Sequence, residues 1–434
     1  MDNFKEIERR ESKVVQNLKI NGLYCWPIIR YTLRKHQYPS QGADSARIGK
    51  LGFYYILRLF DNLKYQRNRE FKYTFIESED RRSKIFGDLY TYVIKNNVSD
   101  YNILVRPPLQ SVNKVFLDSF EYSLVVPYIK YLFKTKAMAR QYFPKNRILE
   151  YLVEKYSLPR REISLDLLKF YIFYRYFLKI LKKLKIKRIL LYCGYNITSL
   201  ALVQAAHELK ISCGEIQHGN FHPSDGAYHY GHGINHNFTS FYSDYFLCFN
   251  NKFLNYINQE DSYFYKKKNS VIGFPIQYMI GPKRMNVASS DEGVKILLIL
   301  PFKITSEFKK IMEHLIEVID SNIKYELWIR VHPNADNDGK DFINSYRDFF
   351  SYDQLEWRDS IVEYDYFVGE SSTTLLEAES INKRVYLINT RESKEFSTQL
   401  ENPKIVENFT IQSFSAYEWS WTAPIRFEFQ IGRD

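Results

Sequence analysis

The sequence predicts an α/β protein built as two successive doubly wound units, and three observations predict it. The chain has 434 residues, more than one hydrophobic core ordinarily serves, because single domains rarely pass about 250–300 residues. After residue 163, short apolar runs alternate with helical patterns, the β-α-β signature of a parallel sheet. A polar stretch, GPKRMNVASSDEG at 281–293, interrupts that alternation, and a fresh α/β series starts beyond it. The expected division is therefore residues 1–280, an N-terminal unit with a helical and basic insert, and residues 281–434, a C-terminal unit.

The elements follow in order. Residues 20–35 (INGLYCWPIIRYTLRK) have amphipathic helical spacing around Trp26, and 73–77 and 101–105 read as short strands. A helical run over 163–183 leads into a strand at 188–192, which Gly194 ends. Residues 197–209 (ITSLALVQAAHEL) are helical with Ala at packing positions, and a strand over 212–217 stops at His218-Gly219. Strands at 245–249 and 270–272 close the first series, the latter broken by Gly273-Phe274-Pro275. In the second series, 294–300, 325–331, 355–357, 366–368 and 384–388 read as strands, with helices at 306–321 and 374–381. Open sheets of this kind bind ligands beyond the carboxyl ends of their strands.

Composition narrows the class. Hydrophobic residues at 45% and charged residues at 26% are ordinary globular values. Cys25, Cys193, Cys213 and Cys248 are far apart and form no CxxC pair, which argues against a disulfide framework or zinc ribbon and fits a reducing cytoplasm. The opening MDNFKEIERRESK is charged and has no apolar signal core. No run approaches the ~20 apolar residues of a membrane span, so the expectation is a cytoplasmic protein, soluble or peripheral to a membrane.

The net charge of +11 is concentrated. Between residues 130 and 188 there are 17 Lys/Arg against 4 Asp/Glu, more than the whole surplus. Within it lies LKFYIFYRYFLKILKKLKIKR (Leu168–Arg188), where aromatic and basic residues interleave at helical spacing. One reading is a solvated basic helix with an aromatic core face. The other is a surface for anionic lipid head groups or an anionic acceptor. No nucleic-acid motif accompanies the charge, and nucleic acid is not expected as a partner.

Two motifs carry candidate chemistry in the C-terminal unit. In GESSTTLLEA, Glu370, Ser371, Ser372 and Thr373 follow a strand and open a helix. A helix N-terminus presents unpaired N–H groups and about half a positive charge, which suits phosphate, and hydroxyls there can donate to it as well. Glu377, one to two turns on, can accept from the hydroxyls of a ribose. Plain N-capping explains Ser and Thr at this place equally well. In WIRVHP, a strand ends at His332-Pro333. Pro333 stops the strand, and His332 can donate to a diphosphate or a departing phosphate.

His-Pro at a strand end, followed by Ser-Ser-Thr opening a helix, resembles bacterial surface-polysaccharide transferases of the GT-B class. These include sialyltransferase, polysialyltransferase and capsule Kdo-transferase families, and more distantly teichoic-acid CDP-glycerol polymerases. The resemblance spans about residues 194–390. It implies two Rossmann-like domains facing a cleft. It also implies that His332, Ser371, Ser372 and Thr373 bind the donor phosphate, with Pro333, Glu370 and Glu377 as further donor-side candidates, and transfer from a nucleotide sugar to a growing cell-surface glycan or lipid-linked acceptor. A CMP-linked nonulosonate or Kdo-like acid is the favoured donor, with a UDP- or GDP-sugar or a CDP-polyol as alternative. A non-catalytic glycan-assembly scaffold is a further alternative. No cofactor beyond the donor is implied.

The third motif, QHGNFHPSDG, begins at a strand end in the N-terminal unit, and its Gln-His-Gly also resembles these transferases, where the loop lies near the acceptor. Gln217, Gly219 and His222 are the acceptor-side candidates. His218, then Asp225, are the candidates for the base that deprotonates an acceptor hydroxyl. The acidic-acidic-Gly base motif of the sialyltransferases is only half present, in Asp225-Gly226. His229, His232 and His236 could converge on a metal only if helical, and Gly231 and Gly233 oppose a helix. No metal site is expected.

Overall fold

The computed structural model describes residues 3–37, 74–78, 82–83, 87–88, 101–105, 121–123, 127, 130–131, 145–184, 186–221, 227–230, 241–280, 294–301, 304–320, 325–331, 341 and 344–406. The chain forms two compact units, Met1–His218 with Pro223–Val271, and Ile272–Asp434 with Gly219–His222. The division at residues 271 and 272 precedes the polar stretch that the sequence suggested as the boundary.

The first unit is organised on a seven-stranded parallel sheet. Its strands are β1 (Thr74–Ser78), β2 (Tyr101–Val105), β3 (Glu121–Ser123), β4 (Arg188–Tyr192), β5 (Ser212–Ile216), β6 (Tyr245–Cys248) and β7 (Ser270–Val271). They lie in the order 3-2-1-4-5-6-7. The helix Ile197–Glu208 starts because Asn196 caps it, its side-chain oxygen accepting from Thr198 N and Ser199 N at 3.0 Å. The long helix Arg160–Leu184 packs against Ile197–Glu208 and against Trp26–Gln37. Its aromatic residues Phe170, Phe173 and Phe177 are in the core, whereas Arg175, Lys179, Lys182 and Lys183 are exposed. The helix is thus amphipathic in the ordinary sense, with a cationic outer stripe.

The second unit holds a six-stranded parallel sheet of β8 (Val294–Ile299), β9 (Tyr325–Arg330), β10 (Ser351–Tyr352), β11 (Tyr366–Gly369), β12 (Arg384–Ile388) and β13 (Ile405–Val406). Its order is 10-9-8-11-12-13. Ile296, Leu298, Ile329, Val368 and Ile388 from four strands meet Phe308, Met312 and Leu315 of helix Ser306–Asp320 in one core. Both orders are the Rossmann order, three strands stepping out one way and the rest the other. The chain therefore consists of two Rossmann-like α/β units, the composition that defines the GT-B class.

Two expected elements differ. Residues 20–35 are not one helix: Lys19–Ile20 and Leu23–Tyr24 pair as an antiparallel hairpin, and the helix begins at Trp26. Asn21 and Gly22 supply φ values of 50° and 82°, the left-handed pair a two-residue hairpin turn requires. The strand expected at 355–357 lies earlier, at Ser351–Tyr352, and Trp357 instead opens the helix Trp357–Glu363. The apolar look of Trp357 reflects packing against Phe367, edge-on at 6.0 Å between ring centroids, not a strand.

Candidate functional site

Chemistry-bearing side chains gather at carboxyl strand ends in each unit. In the second unit the strand order reverses between β8 and β11, and that reversal opens a crevice at the carboxyl edge. Two helices start there. Thr305 accepts from Phe308 N at 3.1 Å at the start of Ser306–Asp320. Ser372 caps Thr373–Ser380, accepting from Thr374 N at 3.2 Å. Gly369 lets β11 end against its neighbours, since a Cβ there would stand 3.1 Å from both the Ile299 carbonyl oxygen and Leu375 Cδ1.

The hydroxyls sort by what they already do. Ser372 is committed to the cap, and its oxygen also lies 2.8 Å from Thr374 Oγ1. Ser371 donates to Glu392 Oε2 only at 3.5 Å, the outer limit of a hydrogen bond. Thr373 Oγ1 accepts from Asn220 N at 3.2 Å, which leaves the hydroxyl proton available to a ligand. Capping thus accounts for Ser372, while Ser371 holds only the long bond to Glu392 and, among the described residues, Thr373 is recorded only as an acceptor.

Glu370 and Glu377 are both buried. Burial raises the Glu370 carboxyl, as do the neighbouring Glu392 and Glu307 carboxylates, against a hydrogen bond from Thr390. Burial pushes Glu377 up to about 7, opposed by a hydrogen bond from Trp357 and the nearby Arg330 charge. The Trp357 indole N–H reaches Glu377 Oε2 at 2.5 Å. Arg330, the last residue of β9, stacks 5.1 Å from the Trp357 ring centroid and bonds Asp353 Oδ2 at 2.5 Å. Ser360 donates to the same Asp353 oxygen. This Arg330–Asp353–Trp357–Glu377 network escaped sequence reasoning. Its one sequence signal was a charged residue closing the apolar run YELWIR.

In the first unit the loop after β4 runs Cys193-Gly194-Tyr195-Asn196, with Cys193 at φ 58°, an uncommon conformation for a non-glycine residue. On the neighbouring strand β5, Glu215 is fully buried. Its Oε1 accepts from Gly194 N at 2.7 Å and from the Tyr228 hydroxyl at 2.9 Å. Burial pushes this carboxyl up to about 7, with those two hydrogen bonds and the His218 charge pulling the other way and Cys193 adding to the rise. His218 Nε2 lies 3.5 Å from the Tyr195 hydroxyl.

The structure divides the third motif. Gln217 and His218 belong to the first unit and Gly219–His222 to the second. Gln217 is buried, with its Oε1 accepting from Phe249 N at 2.8 Å and its own N–H bonded to Leu247 O. Its side-chain oxygen therefore ties β5 to β6. Gly219 stands beside Thr373, where a Cβ would come within 3.6 Å of Oγ1. His222, Asp225, His232, His236, His332 and Pro333 lie outside the described residues. His229 is buried, with Nε2 3.0 Å from Tyr256 O. Among the described residues, no group of three or more His, Cys, Asp or Glu is arranged to hold a metal ion. No helix among them is long and apolar enough to cross a membrane.

No family model matches the sequence, and no curated protein matches it either. Among solved structures, the chain is similar to S. aureus MnaA bound to UDP, at 13% identity over 79% of this chain and 86% of that one, TM-score 0.46. It is similar to the UDP-GlcNAc 2-epimerase of Neisseria meningitidis bound to UDP-GlcNAc, at 15% identity over 79% and 90%, TM-score 0.44. It is also similar to the wall teichoic acid polymerase TagF, at 12% identity over 80% of each chain, TM-score 0.40. The fold assignment stands on the two strand orders, and these distant likenesses add no argument about activity.

Proposed function

We propose that this chain is a glycosyltransferase that moves a sugar from a nucleotide donor to a growing cell-surface glycan or lipid-linked acceptor. A CMP-linked nonulosonate or Kdo-like acid is the favoured donor. The observation that carries this reading is the helix N-terminus at Thr373, opened by the hydroxyl residues Ser371, Ser372 and Thr373 and standing at the switch point of a Rossmann-ordered sheet. Such a place suits the phosphate of a nucleotide. His332 follows β9, the strand beside β8, by two residues. Its role in this reading is to donate to the phosphate as the bond to the sugar breaks. Across the transfer, the acceptor hydroxyl loses its proton to a base, with His218 the first candidate and Asp225 the second. The exposed cations of Arg160–Leu184 are the surface for an anionic membrane carrying the acceptor.

A thermal-shift panel of CMP, CDP, UDP and GDP on the full chain tests the donor. Ligand at about 100 times its Kd adds about 2.7 kcal/mol, and stabilisation by CMP above the others is expected. Stabilisation by UDP, GDP or CDP alone moves the donor to that nucleotide, and no response to any supports a scaffold. His332→Ala and Thr373→Ala should each weaken the responding nucleotide, and turnover unchanged by His332→Ala removes it from the mechanism.

A further inference from the structure

The first sheet reverses its order between β1 and β4, so its ligand crevice lies beyond the carboxyl end of β4. The chain leaves β4 through Cys193-Gly194-Tyr195-Asn196, and that turn is fixed from within. Gly194 N donates to the buried Glu215 at 2.7 Å, and the Asn196 amide donates to Cys193 O at 2.6 Å and to Ser199 Oγ at 3.0 Å. The Asn196 side-chain oxygen takes the N–H groups of Thr198 and Ser199. With the helix start capped in this way, what the turn presents is the Tyr195 side chain. Tyr195 is half-buried and meets the Tyr228 ring edge-on at 5.5 Å. The Arg34 guanidinium lies 4.7 Å from its ring centroid, and its hydroxyl comes to 3.5 Å from His218 Nε2. Arg34 and His218 are half-buried as well. Cations in the last turn of a helix offset its dipole, and the exposed Lys35 suffices for that at the end of Trp26–Gln37. Arg34 lies instead on an aromatic ring at the crevice.

We propose that Arg34, Tyr195 and His218 hold the acceptor in the first unit, and that the group they take is anionic, a carboxylate or phosphate borne by the acceptor. The inference rests on the reading of the His218 side as the acceptor's. All three side chains can donate hydrogen bonds, and Arg34 adds a permanent charge in a planar fork that matches a carboxylate or phosphate. The ring face holds that fork in place, which lowers the cost of ordering it when a ligand arrives. Glu215 stands behind the turn. Burial pushes its carboxyl up to about 7, so below that pH it is largely neutral and does not oppose an anion. Asp166, packed on the same helix as Arg34, accepts from Thr32 Oγ1 at 2.9 Å and lies near Lys35 and Lys169.

The test is isothermal titration of the full-length protein at low ionic strength with glucuronate, inorganic phosphate and, as the uncharged control, glucose. Binding of at least one anion without binding of glucose is expected, and which of the two binds tells an acidic sugar from a phosphate-bearing acceptor. Arg34→Gln should weaken that anion on the order of tenfold or more, because hydrogen bonding to a charged group is lost. Tyr195→Phe keeps the ring under Arg34 and removes only the hydroxyl. It should weaken the anion by less, and it serves if Arg34→Gln does not fold. Thr373→Ala should leave the affinity as it is, which separates this site from a phosphate held in the second unit. The proposal is overturned if no anion binds, if glucose binds as well as the anions do, or if the affinity follows Thr373 and ignores whichever of the Arg34 and Tyr195 variants fold. The nucleotide panel reports separately on the transfer reading: a chain that binds the anion through Arg34 but responds to no nucleotide keeps this site and loses the acceptor's role for it.

Discussion

At the residue scale, the buried carboxyls decide more than the hydroxyls. Glu377 sits against Trp357 and Arg330 with its carboxyl pushed up to about 7. In the unfolded chain the same group titrates near its ordinary value of 4.5. The folded state therefore holds the proton more tightly, and the stability this contributes is complete below pH 4.5 and lost as the pH rises to about 7. The size of the loss is on the order of 3 kcal/mol. Glu377→Gln should remove that share of the decline, so its melting temperature should fall less than wild type's across the same window. Equal slopes for the two proteins would mean that Glu377 is not protonated in the fold. The place of Ser371–Thr373 at a helix start was legible because cap, hydroxyls and helix start are neighbours in sequence. Glu377's partners were not: Trp357 and Arg330 lie 20 and 47 residues away along the chain, and only the packing of β9 and β11 around β8 joins them. Glu215 was equally hidden, inside the run 212–217 that reads only as a strand.

At the element scale, strand ends explain both what was legible and what was missed. Strands buried on two faces announce themselves as apolar runs, and the sequence places β2, β4 and β12 at the bounds the structure has. Short edge strands such as β3 and β13 carry too few residues for any period, so they were invisible. The hairpin at Asn21-Gly22 was missed because helical spacing around Trp26 outweighed a turn signal that lies in plain sight. Gly369 is where an element boundary becomes a packing constraint. Its replacement by Ala pushes a methyl toward a backbone carbonyl that cannot rotate away and toward Leu375 of the helix Thr373–Ser380. Gly369→Ala is expected to destabilise the protein by about 1–3 kcal/mol and to shift the start of that helix. If the proposed donor site is at that helix start, nucleotide binding should therefore weaken along with the melting temperature. A variant as stable as wild type would show that β11 and the helix have slack the geometry does not suggest.

At the scale of the whole molecule, charge is distributed as if for a surface. The excess of Lys and Arg between residues 130 and 188 exceeds the surplus of the entire chain, so the remainder is close to neutral. In the structure that excess is partly resolved into a stripe. Arg175, Lys179, Lys182 and Lys183 recur at helical spacing on the solvent side of Arg160–Leu184, while its aromatics serve the core. The solvated-helix reading of the sequence is right for the aromatics. It does not account for the cations, because a helix needs only a polar face to be solvated, whereas the exposed residues over 175–183 are all Lys or Arg. Cations near an anionic bilayer contribute about 1 kcal/mol each. Changing Lys179, Lys182 and Lys183 together to Gln should therefore reduce partitioning onto phosphatidylglycerol vesicles on the order of a hundredfold. Neutral phosphatidylcholine vesicles should bind wild type and variant alike. The wild-type protein's affinity should fall as salt approaches the concentration where the Debye length is below about 10 Å. Binding that ignores both the substitutions and the salt would assign the stripe to solvation alone and place the acceptor's recognition elsewhere on the first unit.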